Sequence, residues 1–588
     1  MAVFFLLLSL LSYSANAADV TLRFSDDIPT EIQKNAQRQV DQTINFPSTT
    51  PSEYRIEQLR RRIALLTQEA AQPYGYFTAL CDTTVDRPGN QLVFSTTCRL
   101  NQPVRITSFR LEVSGPGKAV LDPIILMSYY SLEGEVFNVE RYWQQKNLLL
   151  DISRQYGFLD ATTKRSTVSI NPEKHSAEII LHLETGERFQ FGAIDIKGQN
   201  YDEAFLRSLA LYKPGMMYDE SLITEYKNNL ESTNLFTYVT VLPFNGRRSD
   251  QIVPTEVFYE PTPRLQYGLG AGVNSSNDFF YSAVARRNRL NRKGMLATSE
   301  LLSSNHYGYF VTTLSIPSRH PTKDFYTVRL GYRFDDIDYV GEDRNLTLST
   351  SHVLVTKPKQ HLTLRRELSL NYSLDRSKYD GRTTHETQFL YPGLDFARRY
   401  DYPDRLMTIL LSQEIIGNVR QLASPTDFIK LVMHERLYKN FSDLFAVSAR
   451  MTQGVVRASA SDDQLPISWY FYTGGAYSVR GFEYLSIGAD PNDPLRQNNY
   501  LYTGSVELQR AIVQDTFGIL FVDAGEAMPS LRNRKTSYAL GVGVMWQSFV
   551  GNLELSIAKP IRNYSSNTSM SPRFNFRIYQ PLSKDRAW

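Results

Sequence analysis

"SYALGVGVMW", residues 537–546, decides the fold. Tyr538, Leu540, Val542, Val544 and Trp546 share one parity, and Ala539, Gly541, Gly543 and Met545 share the other. Side chains of a strand alternate between faces, so this stretch presents a continuous apolar face backed by small residues. Two neighbours repeat the pattern. "NLELSIAKP" (552–560) sets Leu553, Leu555 and Ile557 against Glu554, Ser556 and Ala558. "PRFNFRIYQ" (572–580) sets Phe574, Phe576 and Ile578 against Arg573, Asn575 and Arg577. Apolar outside and polar inside, at period two, marks transmembrane barrel strands. A soluble sandwich also alternates; strand number, meander order and an export signal favour the barrel.

The texture holds from Arg264 to the end of the chain. Strands are expected near 264–273, 278–287, 295–304, 307–316, 501–511, 517–524, 536–547, 551–560 and 572–580. Extending their spacing gives about 16 strands, an even number as such barrels require. Aromatic residues make up 12% of the 588, with 36 Tyr and 32 Phe, a composition suited to interfacial girdles. Lys and Arg number 64 against 61 Asp and Glu, and a net charge of +3 gives no argument for nucleic acid.

The first residues, "MAVFFLLLSLLSYSANAADV", read as a secretory signal peptide over 1–17, with Ala15-Asn16-Ala17 as the cleavage signal. The run is short for a membrane-spanning helix, and no later window reaches the required length. The two cysteines fit an oxidising compartment. If Gly89 and Asn90 form the turn of a hairpin, Cys81 falls opposite Cys98 in a non-hydrogen-bonded pair, where side chains come closest. A cross-strand disulfide is therefore expected, against the alternative of two reduced core cysteines.

Between the signal and residue 263 a pattern recurs three times, at about 80 residues per unit. Each unit opens with a strand: "VTLRFS", "ITSFRLEVSG" and "FQFGAIDIKG". Helical patterns follow, including "YRIEQLRRRIALLTQEA", "VERYWQQKNLLLDISRQ" and "ESLITEYKNNLES". Then come a turn with Gly or Asn, an aromatic, and two strands. The units are assigned to 18–102, 103–187 and 188–263, and the barrel to 264–588.

Late in the chain stands "GGAYSVRGFEYLS" (474–486), followed by "FVDAGEA" (521–527). Three α+β repeats, a barrel and these two motifs in this order resemble the BamA/TamA superfamily over nearly the whole mature chain. Three repeats and this length look most like its TamA branch. The resemblance implies that the repeats are periplasmic POTRA domains and that the barrel lies in the outer membrane. It implies that Gly474, Gly475, Val479, Arg480, Gly481 and Phe482 form the sixth extracellular loop, folded back into the lumen. Phe521, Asp523 and Gly525 would be the strand that anchors it, with Arg480 meeting Asp523. A buried guanidinium needs a carboxylate, which supports the pairing on physical grounds; the alternative is an exposed Arg and a solvated Asp.

The resemblance also implies a lateral seam between the first strand, "RLQYGLGAGV", and the last. Tyr267, Gly268, Leu269, Gly270 and Gly272 would form one side, and Phe574, Phe576 and Ile578 the other. Glycines weaken a strand, and an opened edge can template an incoming one; alternatively they only make room in the lumen. The implied function is insertion or translocation of β-rich outer-membrane proteins such as autotransporters, with a TamB-like inner-membrane partner and contact with outer-membrane lipids. A secretion pore for one exoprotein and lipid transfer remain alternatives; no plug-helix pattern of the kind secretion pores carry precedes Val20.

No enzyme is expected. The 8 His are scattered, and His175 and His182, seven apart about one strand, fall on opposite faces. No metal-ligand set, phosphate loop or nucleophile elbow occurs, so neither metal nor cofactor is expected. The basic run at 285–294 reads as a solvated turn or a lipid-headgroup contact.

Overall fold

A computed structural model describes residues 19–46, 51–88, 91–128, 131–243, 251–274, 278–338, 340–379, 383–418, 424–459, 465–493, 496–532, 534–548, 551–564 and 569–579. The signal peptide, the Gly89–Asn90 turn and the C-terminal tail lie outside the described residues. The chain divides into two compact units. One comprises Met1–Asp195, Leu211–Glu225 and Val241–Glu256; the other comprises Ile196–Ala210, Tyr226–Thr240 and Val257–Trp588.

Strand–helix–helix–strand–strand occurs three times. The first repeat holds β1 (Asp19–Phe24), α1 (Thr30–Thr43), α2 (Glu53–Ala71), β2 (Leu80–Asp86) and β3 (Gln91–Arg99). The second holds β4 (Arg105–Ser114), α3 (Lys118–Ser128), α4 (Val139–Gln155), β5 (Thr162–Asn171) and β6 (Ser176–Glu184). The third holds β7 (Gln190–Lys197), α5 (Glu203–Ser208), α6 (Glu220–Glu231), β8 (Phe236–Pro243) and β9 (Ile252–Pro261). Each forms a three-stranded sheet with its last strand in the middle, ordered β1-β3-β2, β4-β6-β5 and β7-β9-β8. The Gly or Asn of the recurring turn has a geometric cause. Gly75, Gly157 and Asn234 all take positive φ (92°, 93° and 57°), the left-handed conformation that ends a helix. In the first repeat, Ile56, Leu59, Ile63 and Leu66 of α2 pack on Leu92 and Phe94 of β3. Cys81 pairs with Cys98 across β2 and β3 at a Cα separation of 4.1 Å and is disulfide-bonded to it.

The remaining strands make one 16-stranded antiparallel meander. They are β10 (Leu265–Asn274), β11 (Asp278–Arg287), β12 (Leu296–Ser304), β13 (Tyr307–His320), β14 (Asp324–Ile337) and β15 (Gly341–Lys359). Next come β16 (Leu362–Tyr379), β17 (Thr383–Tyr402), β18 (Met407–Asn418), β19 (Phe428–Asn440) and β20 (Phe445–Ala458). Last are β21 (Tyr500–Val513), β22 (Thr516–Met528), β23 (Ser537–Ser548), β24 (Gly551–Arg562) and β25 (Arg573–Tyr579). This is the expected transmembrane antiparallel β-barrel, preceded by three α+β domains. Leu540, Val542 and Val544 are exposed on the outer wall while Ala539 and Met545 are buried. The wall is uneven. β15, β16 and β17 have 19, 18 and 20 residues, whereas β10, β11 and β12 have 10, 10 and 9.

The basic run at 285–294 is not a free solvated turn. It receives the start of the third repeat within the same unit. Arg289 donates to the Asn200 side chain at 2.7 Å, Arg292 to the Gln199 carbonyl at 3.1 Å, and the Asp202 amide to the Arg292 carbonyl at 2.8 Å. The next turn on that rim does likewise: Lys323 reaches Asn229 at 2.9 Å, and Thr322 reaches the Ser232 carbonyl at 2.7 Å.

Replacing Cys81 and Cys98 together by Ser removes a link across a sequence separation of 17 residues. The expected cost is about 2–4 kcal/mol. Amide exchange in the full chain should show β2 and β3 losing protection while barrel strands keep theirs; unchanged protection would contradict a stabilising link.

Candidate functional site: a loop locked in the lumen beside an unpaired seam

The connection between β20 and β21 turns inward instead of leaving the barrel. Its first part carries Trp469, Tyr470 and Phe471, which are buried against Phe389, Tyr391 and Phe428 of the inner wall. The Trp469 and Phe428 rings lie 4.4 Å apart. These aromatics pack against the inner wall at β17 and β19. The polypeptide then doubles back at Gly474 and Gly481, whose φ values of 120° and 92° are costly for any other residue. A Cβ at Gly474 would also stand 2.3 Å from the Glu483 carbonyl.

That reversal delivers Arg480, which is 0% exposed, to the inner wall. Its guanidinium grips Asp523 with Nε to Oδ2 and Nη2 to Oδ1, both at 2.8 Å, and its own amide adds a third bond to Oδ2 at 2.9 Å. Nη1 reaches Glu554 at 2.9 Å, and Nη2 reaches Ser505 at 3.0 Å and Glu507 at 2.9 Å. The guanidinium lies 3.3 Å above the Phe521 ring. The fork therefore spends its donors on β21, β22 and β24 together. A buried charge is tolerated only when paired and hydrogen-bonded in this way.

The motif residues around it have definite tasks. Val479 occupies the space over Gly525, where a Cβ would lie 2.4 Å from its methyl. Phe521 fills the space over Gly541, where a Cβ would lie 2.2 Å from the ring. Phe482 is buried with Val479, Ile487 and Ala539. Gly475 turns the polypeptide with φ 96°.

The sequence reading missed how far this network extends. Arg577 of β25 shares the same acids, reaching Glu507 and Glu554 at 2.7 Å each. Arg450 of β20 holds the Ser478 carbonyl at 3.0 Å and stands 3.9 Å from Asp523. Three guanidiniums, of Arg450, Arg480 and Arg577, thus face three carboxylates, of Glu507, Asp523 and Glu554. Alternation had put Glu554 and Arg577 on the inner face. Inward charges clustered on the last strands were the available signal. The loop also holds β25 directly, through Arg573 to Glu483 at 2.7 Å and the Tyr477 hydroxyl to the Ile578 carbonyl at 3.2 Å.

On the other side β25 has less support. It pairs with β24 over Arg573–Tyr579, but among the described residues no ladder joins it to β10. The outward side chains at this seam lack a neighbouring strand's cover: Tyr267 is 79% exposed, Leu269 85% and Phe574 79%. Ile578 is exposed too, and Phe576 is partly covered. Gly268, Gly270 and Gly272 stand opposite Val284, Ser282 and Phe280 of β11, and the last two side chains fill the space their Cβ atoms would take. Among the described residues no three His, Cys, Asp or Glu side chains are arranged to hold a metal ion.

Asp523→Ala is expected to destabilise the barrel by about 3 kcal/mol, the low end for breaking a buried pair, because Glu507 and Glu554 still face Arg480. Heat-dependent mobility on gels would read barrel stability, and limited proteolysis between 465 and 493 would read loop release. A double substitution with Arg480→Ala should cost less than the sum of the two; strict additivity would deny the coupling.

Comparison with known proteins gives three results. A model of the Omp85 superfamily domain matches residues 257–580. The structure is similar to BamA from Haemophilus ducreyi lacking POTRA domains 1–3, with a TM-score of 0.66 and 16% identity, covering 80% of this chain and 99% of that one. It also matches CdiB from Acinetobacter baumannii, with a TM-score of 0.48 and 11% identity over 81% of this chain and 90% of that one.

Proposed function

The chain belongs to the Omp85 superfamily, outer-membrane β-barrels with periplasmic N-terminal domains, and from that premise we propose that it assembles other β-rich outer-membrane proteins. The carrying observation is the unpaired edge between β10 and β25. Backbone amides and carbonyls facing hydrocarbon without partners cost several kcal/mol each. An edge strand of ten residues at this depth demands a strand to pair with. A client strand can supply those bonds, gaining its own in the same step. No nucleotide is needed, because the client's folding releases the free energy.

The three repeats are assigned as POTRA domains over 18–102, 103–187 and 188–263, ahead of a barrel over 264–588. Three repeats and the two motifs support a TamA-like role, with autotransporters among the clients and a TamB-like protein reaching from the inner membrane. The open edges of the small sheets suit strand addition by such partners. The lumen gives less support to a secretion pore: the aromatics around Trp469 pack inside it, and Arg480 anchors the loop that carries them.

A photo-crosslinking residue at Leu269 tests the seam in living cells. Capture of many nascent β-barrel proteins is the expected result. Capture only of the protein's own β25 would mean a seam that stays shut, and capture only of lipid would shift the role to lipid transfer.

A further inference from the structure

We propose that the outer wall at the extracellular ends of β19 to β23 carries a binding groove for a membrane lipid with a phosphorylated headgroup. A barrel entered from the periplasm at β10 has its β22–β23 turn on the extracellular side, so this groove would open to the outer leaflet. It encloses about 660 Å³, a volume suited to part of a lipid, and its lining includes Leu431, Met433, Val455, Tyr502, Leu531 and Arg534.

Parity shows that most of the lining faces outward, Gly454 and Leu501 excepted. Leu431 and Met433 share the face of exposed Ile429, while Phe428 and Val432 are buried inside. Tyr502 shares the face of exposed Val506 and Leu508. The far wall is the β22–β23 turn itself, which folds back over the strands. Its anchor is Glu526, an outward residue that is nevertheless buried. That carboxylate accepts the Lys535 amide and, at 2.8 Å, the Thr536 hydroxyl. Glu526 is thereby committed to the turn.

One guanidinium, of Arg534, lines the groove, and a second, of Arg457, stands against a lining residue. Arg457 of β20 lies 4.9 Å over the Tyr500 ring, another lining residue, and donates to its hydroxyl. Arg534 comes from the turn, beside Arg532 and Lys535. Among the described residues no carboxylate forms an ion pair with any of these four cations. A solitary basic turn is usually only solvated. Here Arg534 lines a partly apolar groove, Arg457 stacks on its Tyr500, and the turn is pinned in place by a spent carboxylate. Acyl chains fit the groove, and the planar guanidinium fork fits phosphate oxygens.

A lipid phosphate and a free phosphate ion share this chemistry, and the test separates them. The full-length protein in detergent would be offered a bis-phosphorylated acylated disaccharide lipid and its dephosphorylated form with the same acyl chains. Native mass spectrometry would read the bound fraction. The expected result is at least tenfold stronger retention of the phosphorylated form, no displacement by millimolar inorganic phosphate, and a tenfold loss in Arg457→Gln with Arg534→Gln. Leu531→Asp should weaken both lipid forms. Equal retention of the two lipids, an unaffected double variant, or displacement by inorganic phosphate would overturn the proposal. If the double variant does not fold, the comparison of the two lipids on the unaltered protein decides alone.

Discussion

One buried guanidinium organises the functional end of this barrel. Arg480 lies at the tip of a connection that would otherwise be free to leave the lumen, and it can be desolvated only because three strands deliver carboxylates to it. The penalty for stranding any one of these charges is several kcal/mol. The ion pairs therefore specify a position more than they add stability. In its lumenal position the loop satisfies the Arg fork with residues from three strands of the wall. Gly525 and Gly541 follow from the same constraint, since a side chain at either would displace Val479 or Phe521 from beneath and beside Arg480.

The network has a second consequence through Arg577. Glu507 and Glu554 each serve two guanidiniums, one on the loop and one on β25. The last strand is thus tied to the loop electrostatically, and again by Glu483 and Tyr477. On one edge β25 has the β24 ladder; towards β10 it has none among the described residues. On the lumenal side it is held by the loop and by Glu507 and Glu554 of the wall. Loop position and seam geometry are then two readings of one set of charges.

Much of this was legible in the sequence because barrel strands obey a period of two that each stretch displays by itself. "SYALGVGVMW" gives its inner and outer faces without reference to any neighbour, and the strand placed near 536–547 lies at Ser537–Ser548. The helical repeats were readable for the same reason: their pattern is local. The partners of Arg480 were only partly legible. Asp523 came from motif order. Glu507 and Arg450 depend on how β20, β21 and β22 are staggered, and stagger is a property of the closed sheet. The turn at 285–294 was misread for a related reason. Its four arginines looked like a solvated charge run, but backbone groups of Gln199 and Asp202 both meet Arg292, and nothing in a charge pattern announces a backbone partner.

The uneven wall points the same way as the charges. A barrel strand needs about 9–11 residues to cross the hydrocarbon. β10, β11 and β12 just meet that length, while β15 to β17, far round the meander, run to nearly twice it. A short wall fixes few ladder bonds per strand, so fewer bonds are broken in parting two neighbours there than in parting the long strands. Near the seam the sheet is weak in its backbone bonds; across the lumen it is long and firmly paired. Side chains add to what holds β25 on its own side of the seam: Arg573 pairs with Glu483 of the loop, and Arg577 with Glu507 and Glu554 of the wall.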